Sequence, residues 1–426
     1  MKTFLKQTDG RKRARRGLGT ALAVLALILA TAGCDALLDV DLPGVVEYEN
    51  FLSDPGSAQT IVVSAVGEFE CALPQYIIST GIISHQIKVS GIIGVWQNWG
   101  ALRDVSRNDE GNCTTTRTGT NVGIFNPLSR ARVLSEEGYD RISAFSDAEV
   151  PNRASLLGRL AAHAGYANTL LGEGMCEVTV DNGPAMTPAQ IMARAEQHFT
   201  SAIQHAQASG DNAILNMAQV GRARVRLNQG DLSGAISDAQ AVPQGFAHYA
   251  EYSTVTPRRE NNIHNSTFFQ FHMSVHPDYR NPEVQGVPDP RSQALDMESL
   301  GVDNITDQWA PEKYAERDSP IRIASWEEAQ LIIAEATGGQ AAVDIINTLR
   351  DQHDLPHFEG GSNQEILDQI LVERSREFFL EGHRLGDMLR HDLPFPTGAT
   401  HKGQSYGSLT CVPLSDQERA ANPNLS

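Results

Sequence analysis

The chain has 426 residues, 34 basic against 52 acidic ones and a net charge of −18 at neutral pH. An acidic balance of that size repels phosphate backbones, so nucleic acid is an improbable partner. With 41% hydrophobic residues there is material for one large core or two ordinary ones, and beyond the N-terminal run no stretch reads as long enough to cross a membrane.

Residues 1–33 read as a targeting segment. Lys2, Lys6, Arg11, Lys12, Arg13, Arg15 and Arg16 precede an apolar run from Leu18 to Ala30 that is too short to span a bilayer. The run closes on Thr31-Ala32-Gly33-Cys34, which resembles a bacterial lipoprotein cleavage site with Cys34 as the acylated first residue, although Thr31 stands where Leu, Val or Ile is usual. Two or more acyl chains anchor a protein stably, so the mature chain is expected to sit on a membrane through its N-terminal lipid. Removing residues 1–33 takes away seven basic residues and one acidic residue and leaves a net charge of −24. Residues 34–50 then form a short acidic tether.

In residues 51–150 we expect a helix near Ser57 to Glu70, an irregular Gly- and Ile-rich stretch from Ser79 to Gly94, the pair Trp96 and Trp99, a polar loop from Asn108 to Gly123, and a helix from Asn126 to Phe145. The glycines lack the spacing of a phosphate loop. From Asn152 the apolar positions recur at helical spacing. Asn152 to Gly172 pairs with a helix from Thr187-Pro188, a cap and first turn, to Ser209. Ala213 to Asn228 pairs with Asp231 to Ala241 across Gln229-Gly230. These hairpins are tetratricopeptide-like.

The pattern stops from Pro243 to Ala324, among Tyr249, Tyr252, Phe268, Phe269, Phe271, Tyr279 and Trp309. A structureless loop of that length is improbable in a compact domain, so it should carry function or local strands, one of them within Ser266 to Val275. Hairpins resume at Ser325, an N-cap with Glu328 three residues on. Trp326, Ala329, Ile332, Ile333 and Ala336 make the buried face of that helix, Ala341 to Gln352 follows, and Ile366 to Arg390 closes the series.

In that last stretch Arg374, Glu377 and Glu381 fall on the same face as Ile366, Ile370, Leu371 and Phe378. Buried charges need partners, and the nearest candidates are one another with Arg384, Asp387 and Arg390. A packing role outweighs a catalytic carboxylate cluster for such interior pairs.

The same stretch resembles the C-terminal signature of the SusD/RagB-like outer-membrane nutrient-binding lipoproteins, in Glu373-Arg374, Glu377-Phe378, Glu381-Gly382, Arg384 and Asp387. The tail agrees, with Cys411-Val-Pro-Leu-Ser-Asp-Gln-Glu418 and Asn422-Pro-Asn-Leu425. The resemblance implies a mainly α fold in which about four tetratricopeptide-like hairpins form a solenoid scaffold (152–242 and 325–392). A loop-rich ligand-binding cap (51–150 and 243–324) with little strand and a tail (393–426) complete one domain. It implies capture of a nutrient, a glycan by analogy, and its delivery to a SusC-like TonB-dependent transporter. No enzyme, cofactor or metal is implied.

Two other classes stay open, a helical scaffold that binds only protein and a glycoside hydrolase. No Gly-x-Ser-x-Gly, His-Glu-x-x-His or phosphate-loop spacing occurs, and Leu355-Pro356 separates His353 from His357. Sugars stack their apolar faces on aromatic rings, and only 6% of residues are aromatic. The expected platform is Trp96 and Trp99 with Arg103, completed by Tyr279 and Trp309; their structural alternative is to pack the cap on the solenoid. After Cys34 the cysteines are Cys71, Cys113, Cys176 and Cys411, whose spacing matches no zinc pattern and allows three disulfide connectivities. Cys71 with Cys113 is favoured because both lie in the N-terminal loop-rich part, which leaves Cys176 with Cys411.

Overall fold

A computed structural model describes residues 52–106, 111, 113 and 122–425. The molecule is mostly helical. Its backbone is α1 (Ala58–Ile83), which runs through the centre with 20 buried residues, Pro74 among them. The sequence reading ended this helix at Glu70 because its second half has no polar face to give a helical period. By length and composition α1 is also long and apolar enough to cross a membrane, contrary to the expectation of no such run. However, 83% of its apolar window is buried inside the fold, and its two buried acids, Glu68 and Glu70, are neutralised by Arg258 and Arg259 at 2.5 and 2.6 Å.

After the short α2 (Gly94–Gly100), α3 (Phe125–Ser143) packs on α1 and leads into the hairpins. The scaffold helices are α4 (Arg153–Gly174), α5 (Pro188–Ser209), α6 (Asn212–Gln229) and α7 (Leu232–Gln240). Their boundaries follow capping chemistry. Thr187 and Gln190 form a capping box under Pro188, Asp211 and Asp231 accept backbone N–H groups at the starts of α6 and α7, and Gly210 and Gly230 end the preceding helices in the left-handed conformation. Small residues allow close contact: a Cβ on Gly221 would stand 2.4 Å from the Phe199 ring, and one on Gly165 2.7 Å from it.

The second half of the scaffold is α8 (Trp326–Thr337), α9 (Gly339–Asp351), α10 (Asn363–Glu377) and α11 (Arg384–Arg390), followed by α12 (Asp416–Ala421) in the tail. Helix α8 packs on α7 and α6, which joins the two halves. Ala329 and Ile332 are fully buried and Trp326 is 8% exposed, as the apolar face of α8 requires.

Among the described residues the cap contains four two-stranded antiparallel sheets. β1 (Ile87–Val89) pairs with β3 (Met273–Val275), and β2 (Ala247–Ala250) with β8 (Ile321–Ser325). The remaining pairs are β4 (Glu283–Val284) with β5 (Val287–Pro288), and β6 (Ala294–Leu300) with β7 (Asp307–Pro311). The expected strand within 266–275 is shorter than its sequence suggests: Asn265–Phe269 is a π-helical turn and only the last three residues are extended.

The interior charges of this stretch are buried and paired, Arg374 with one of its expected partners and the glutamates with others. Arg374 pairs with Asp387 at 2.8 Å, and Arg390 reaches Asp387 at 2.8 Å and Glu335 at 2.7 Å. The glutamates turn to cations of the cap and, for Glu373, also to Arg350 of α9. Glu373 meets Arg291 at 2.7 Å and Arg350 at 2.6 Å, Glu377 meets Arg322 at 3.0 Å, and Glu381 meets Lys313 at 2.7 Å and Arg322 at 3.0 Å. The cap lies over that helix face and so supplies the nearer cations, which sequence distance could not reveal. Cys71 is joined to Cys113 (Cα separation 5.7 Å) and Cys176 to Cys411 (5.1 Å), the second bond tying the tail to the end of α4.

Candidate functional site

Period-two alternation in β1 sends Ile87 and Val89 into the core, each 2% exposed, and leaves the half-buried Lys88 on the other face. Opposite it in register is Ser274, whose hydroxyl accepts from the Trp309 backbone N–H at 2.9 Å and donates to the Asp307 carbonyl at 2.7 Å. This brings β7 alongside β3. Arg280 is fixed by donating to the Val275 carbonyl at 3.0 Å, and its guanidinium lies 5.0 Å above the half-buried Trp309 ring. A cation over an indole is favourable and orients both groups.

At the edge of this sheet the chain leaves α1 through His85, held at φ 59°. Its ring is 5.1 Å from that of His276 and 5.4 Å from that of Tyr406, which comes from the tail. Together with Lys88 and His401 these side chains line a cavity of about 90 Å³. Burial and then the neighbouring His276 push His85 down to about 4, and burial lowers His276 although Asp278 opposes it. Lys88 is also lowered, by burial and then by Arg280. Both imidazoles are therefore neutral at pH 7, each with one donor and one acceptor nitrogen, the combination that suits hydroxyl groups. A larger cavity of about 530 Å³ on the other side of His85 is lined by Tyr279, Asp278, Arg376, Arg384 and Phe395.

The five residues expected at the platform separate into two sets. Trp309 and Tyr279 lie at this face: the first carries Arg280, and the second lines the larger cavity while its other face stacks on Phe379 at 5.2 Å. Trp96 and Trp99 lie inside the cap, 4% and 0% exposed, as parts of the main core cluster. A Cβ on Gly91 would stand 2.7 Å from the Trp96 ring, and the ring also meets His272 at 4.6 Å. Arg103 is exposed and donates to the Ser405 carbonyl at 3.3 Å, holding the tail against the cap. Lys88, His85, His276, Arg280, His401 and Tyr406 escaped the sequence reading. They come from three distant segments, and no motif links them; the alternation of Ile87-Lys88-Val89 is the one local signal. Cys34 lies outside the described residues. Among the described residues no group of three or more His, Cys, Asp or Glu side chains is placed to hold a metal ion.

Residues 321–423 match the SusD family. No curated protein matches the sequence. Among solved structures, surface glycan-binding protein A from Bacteroides thetaiotaomicron in complex with laminarihexaose is similar over 87% of this chain and 98% of its own, at 15% identity and a TM-score of 0.65. A SusD superfamily protein from Parabacteroides distasonis covers 87% of this chain and 98% of its own at 12% identity, with a TM-score of 0.64. A SusD-like carbohydrate binding protein from Bacteroides vulgatus covers 87% and 97% at 12% identity, with a TM-score of 0.60. At such identities the likeness is one of fold. Residues 321–423 thus match the SusD family, and the chain as a whole shares the fold of these SusD-like structures.

Proposed function

We propose that this chain binds a glycan on its cap and delivers it to a SusC-like TonB-dependent outer-membrane transporter, without catalysing a reaction, while a lipid on Cys34 holds it at the outer membrane facing the exterior. The observation that carries the reading is the cap face itself. A half-buried indole oriented by Arg280 stands near neutral imidazoles and Lys88, which together offer an apolar plane and fixed hydroxyl partners. The similar protein from Bacteroides thetaiotaomicron is described in complex with laminarihexaose, which supports a glucan-type oligosaccharide as the first probe.

Delivery is supported by a second feature of the cap. Ile92, Ile93, Phe269, Leu300 and Ile305 are 44–66% exposed, on segments joined by backbone bonds from Asp303 to Ser90 and from Val302 to Phe271. Contiguous exposed apolar surface of this kind marks a protein interface.

The test is titration of the folded protein with laminarihexaose and an oligosaccharide panel, alongside Trp309→Ala and His276→Ala. Each substitution is expected to weaken binding about tenfold or more. Unchanged affinity in both variants removes the cap site, and release of reducing ends on incubation makes the chain a hydrolase instead. For the anchor, Cys34→Ala should move the protein from membranes to the soluble fraction; unaltered membrane association rejects the lipid. Co-purification with a transporter that survives Ile92→Asp and Ile305→Asp rejects the apolar patch as its contact surface.

A further inference from the structure

Away from the cap face, a cavity of about 740 Å³ opens between the first turns of α4, the α5–α6 turn and β2. Its charges are unevenly committed. Arg153 pairs with Asp147 at 3.1 Å and donates to the Ile142 and Ser143 carbonyls. Asp211 accepts from the Ile214 backbone N–H at 3.2 Å with one oxygen and from the Ser155 hydroxyl at 2.9 Å with the other. Arg159 has no such engagement. Its guanidinium makes no ion pair among the described residues, and its Nε is shut off from solvent without an acceptor.

A permanent cation in a cavity wall without a counter-charge is a ready partner for an anionic group. His248 lines the same cavity, and burial followed by the Arg159 charge lowers its proton affinity. The start of α4 also faces the space: Asn152, at φ 65°, leaves that helix without a side-chain cap, and Ser155 of its first turn is bonded to Asp211.

We propose that this cavity binds a small, polar, carboxylate-bearing molecule whose carboxylate pairs with Arg159. The planar guanidinium matches a carboxylate in two parallel hydrogen bonds. The volume suits a monosaccharide to disaccharide, and Ser155, Asn152 and His248 around it suit hydroxyl groups. The nearby Asp211 and Asp147, already occupied, set the orientation by repelling a second anionic group. The site is separate from the cap face and does not depend on the glycan reading.

The experiment is calorimetric titration of the full folded chain with glucuronate, glucose and inorganic sulfate, repeated on Arg159→Gln and Arg159→Lys. Glucuronate should bind at millimolar concentration or below, glucose at least about tenfold more weakly, and Arg159→Gln should remove the difference, given the strength of charge-assisted hydrogen bonds. Arg159→Lys keeps the charge without the planar fork and should retain part of it. A thermal melt checks folding; should Arg159→Gln fail to fold, His248→Gln replaces it, with a loss of severalfold expected. Equal binding of glucuronate and glucose, sulfate binding as tight as glucuronate, no binding at all, or unchanged selectivity in the variants each overturns the proposal. Laminarihexaose affinity should be the same in wild type and Arg159→Gln, which keeps this outcome distinct from the fate of the cap site.

Discussion

The helical scaffold and the cap hold together by different means. Scaffold helices interlock through alanine and glycine faces and stop at side-chain caps, so each hairpin is specified within a few tens of residues. The cap has strands of two to seven residues in four separate pairs, too little ladder to stand alone. It is held instead by buried indoles and by cations inserted among the carboxylates of α10 and of Glu381 just beyond it. The contrast teaches that a loop-rich region can be rigid when a few long-range contacts are buried, and that its weakest points should be single side chains rather than whole elements.

That contrast can be tested where it should be sharpest. Trp99→Ala removes a fully buried indole from the cap core and should cost about 3–5 kcal/mol, measured by denaturant unfolding; a loss below about 1 kcal/mol would mean that the cap core is not continuous with the scaffold. Glu373→Ala takes the carboxylate from buried Arg350 and one of the carboxylates from Arg291, which keeps Asp289 at 2.7 Å, and should cost about 3–5 kcal/mol. A scaffold surface change such as Gln197→Ala should do little by comparison. Replacing Cys176 and Cys411 together by Ser is expected to lower stability by about 2–5 kcal/mol, a model-dependent figure, and non-reducing peptide mapping of wild type should recover that bond.

A smaller effect belongs to Glu328 in α8. Burial raises its carboxyl to about 7, even though Arg224 stands 3.8 Å away and opposes the shift. Its folded-state value exceeds the unfolded one, so the native state holds the proton more tightly between pH 4.5 and 7. The corresponding stability is present at low pH and lost as pH rises through 7. Glu328→Gln should therefore be more stable than wild type at pH 8 by about 1–3 kcal/mol, and the gain should shrink toward pH 5. A gain independent of pH would contradict this account. A smaller change still is expected in Trp309→Ala, where loss of a half-buried indole at the open face should alter stability by about 1 kcal/mol or less while ligand affinity falls.

The scaffold was legible in the sequence because its information is local. Thr187-Pro188, Gln229-Gly230 and Ser325 with Glu328 each announce a boundary, and the structure starts or ends helices beside them. The second half of α1 was not legible, since a helix buried on every side has no amphipathic period. The burial of Glu377 and Glu381 could be anticipated from helical spacing, but that of Glu373 was not, and Arg291, Arg322 and Lys313 could not be named as their partners. The cap face was the least legible: Trp309 and Tyr279 stood out by residue type, whereas His85, His276 and Tyr406 meet through chain reversals that leave no motif.

The tail described above supplies Tyr406 and His401 to the cap cavity and is tied back to α4 by Cys176–Cys411. The face that begins at His85 is therefore completed by residues more than 300 positions later in the chain. Helical hairpins close between neighbouring segments, but this surface has no partial version until the tail has docked. A chain with its tail undocked would keep its scaffold hairpins with an unfinished cap cavity, so recognition there waits on the longest-range contacts of the fold.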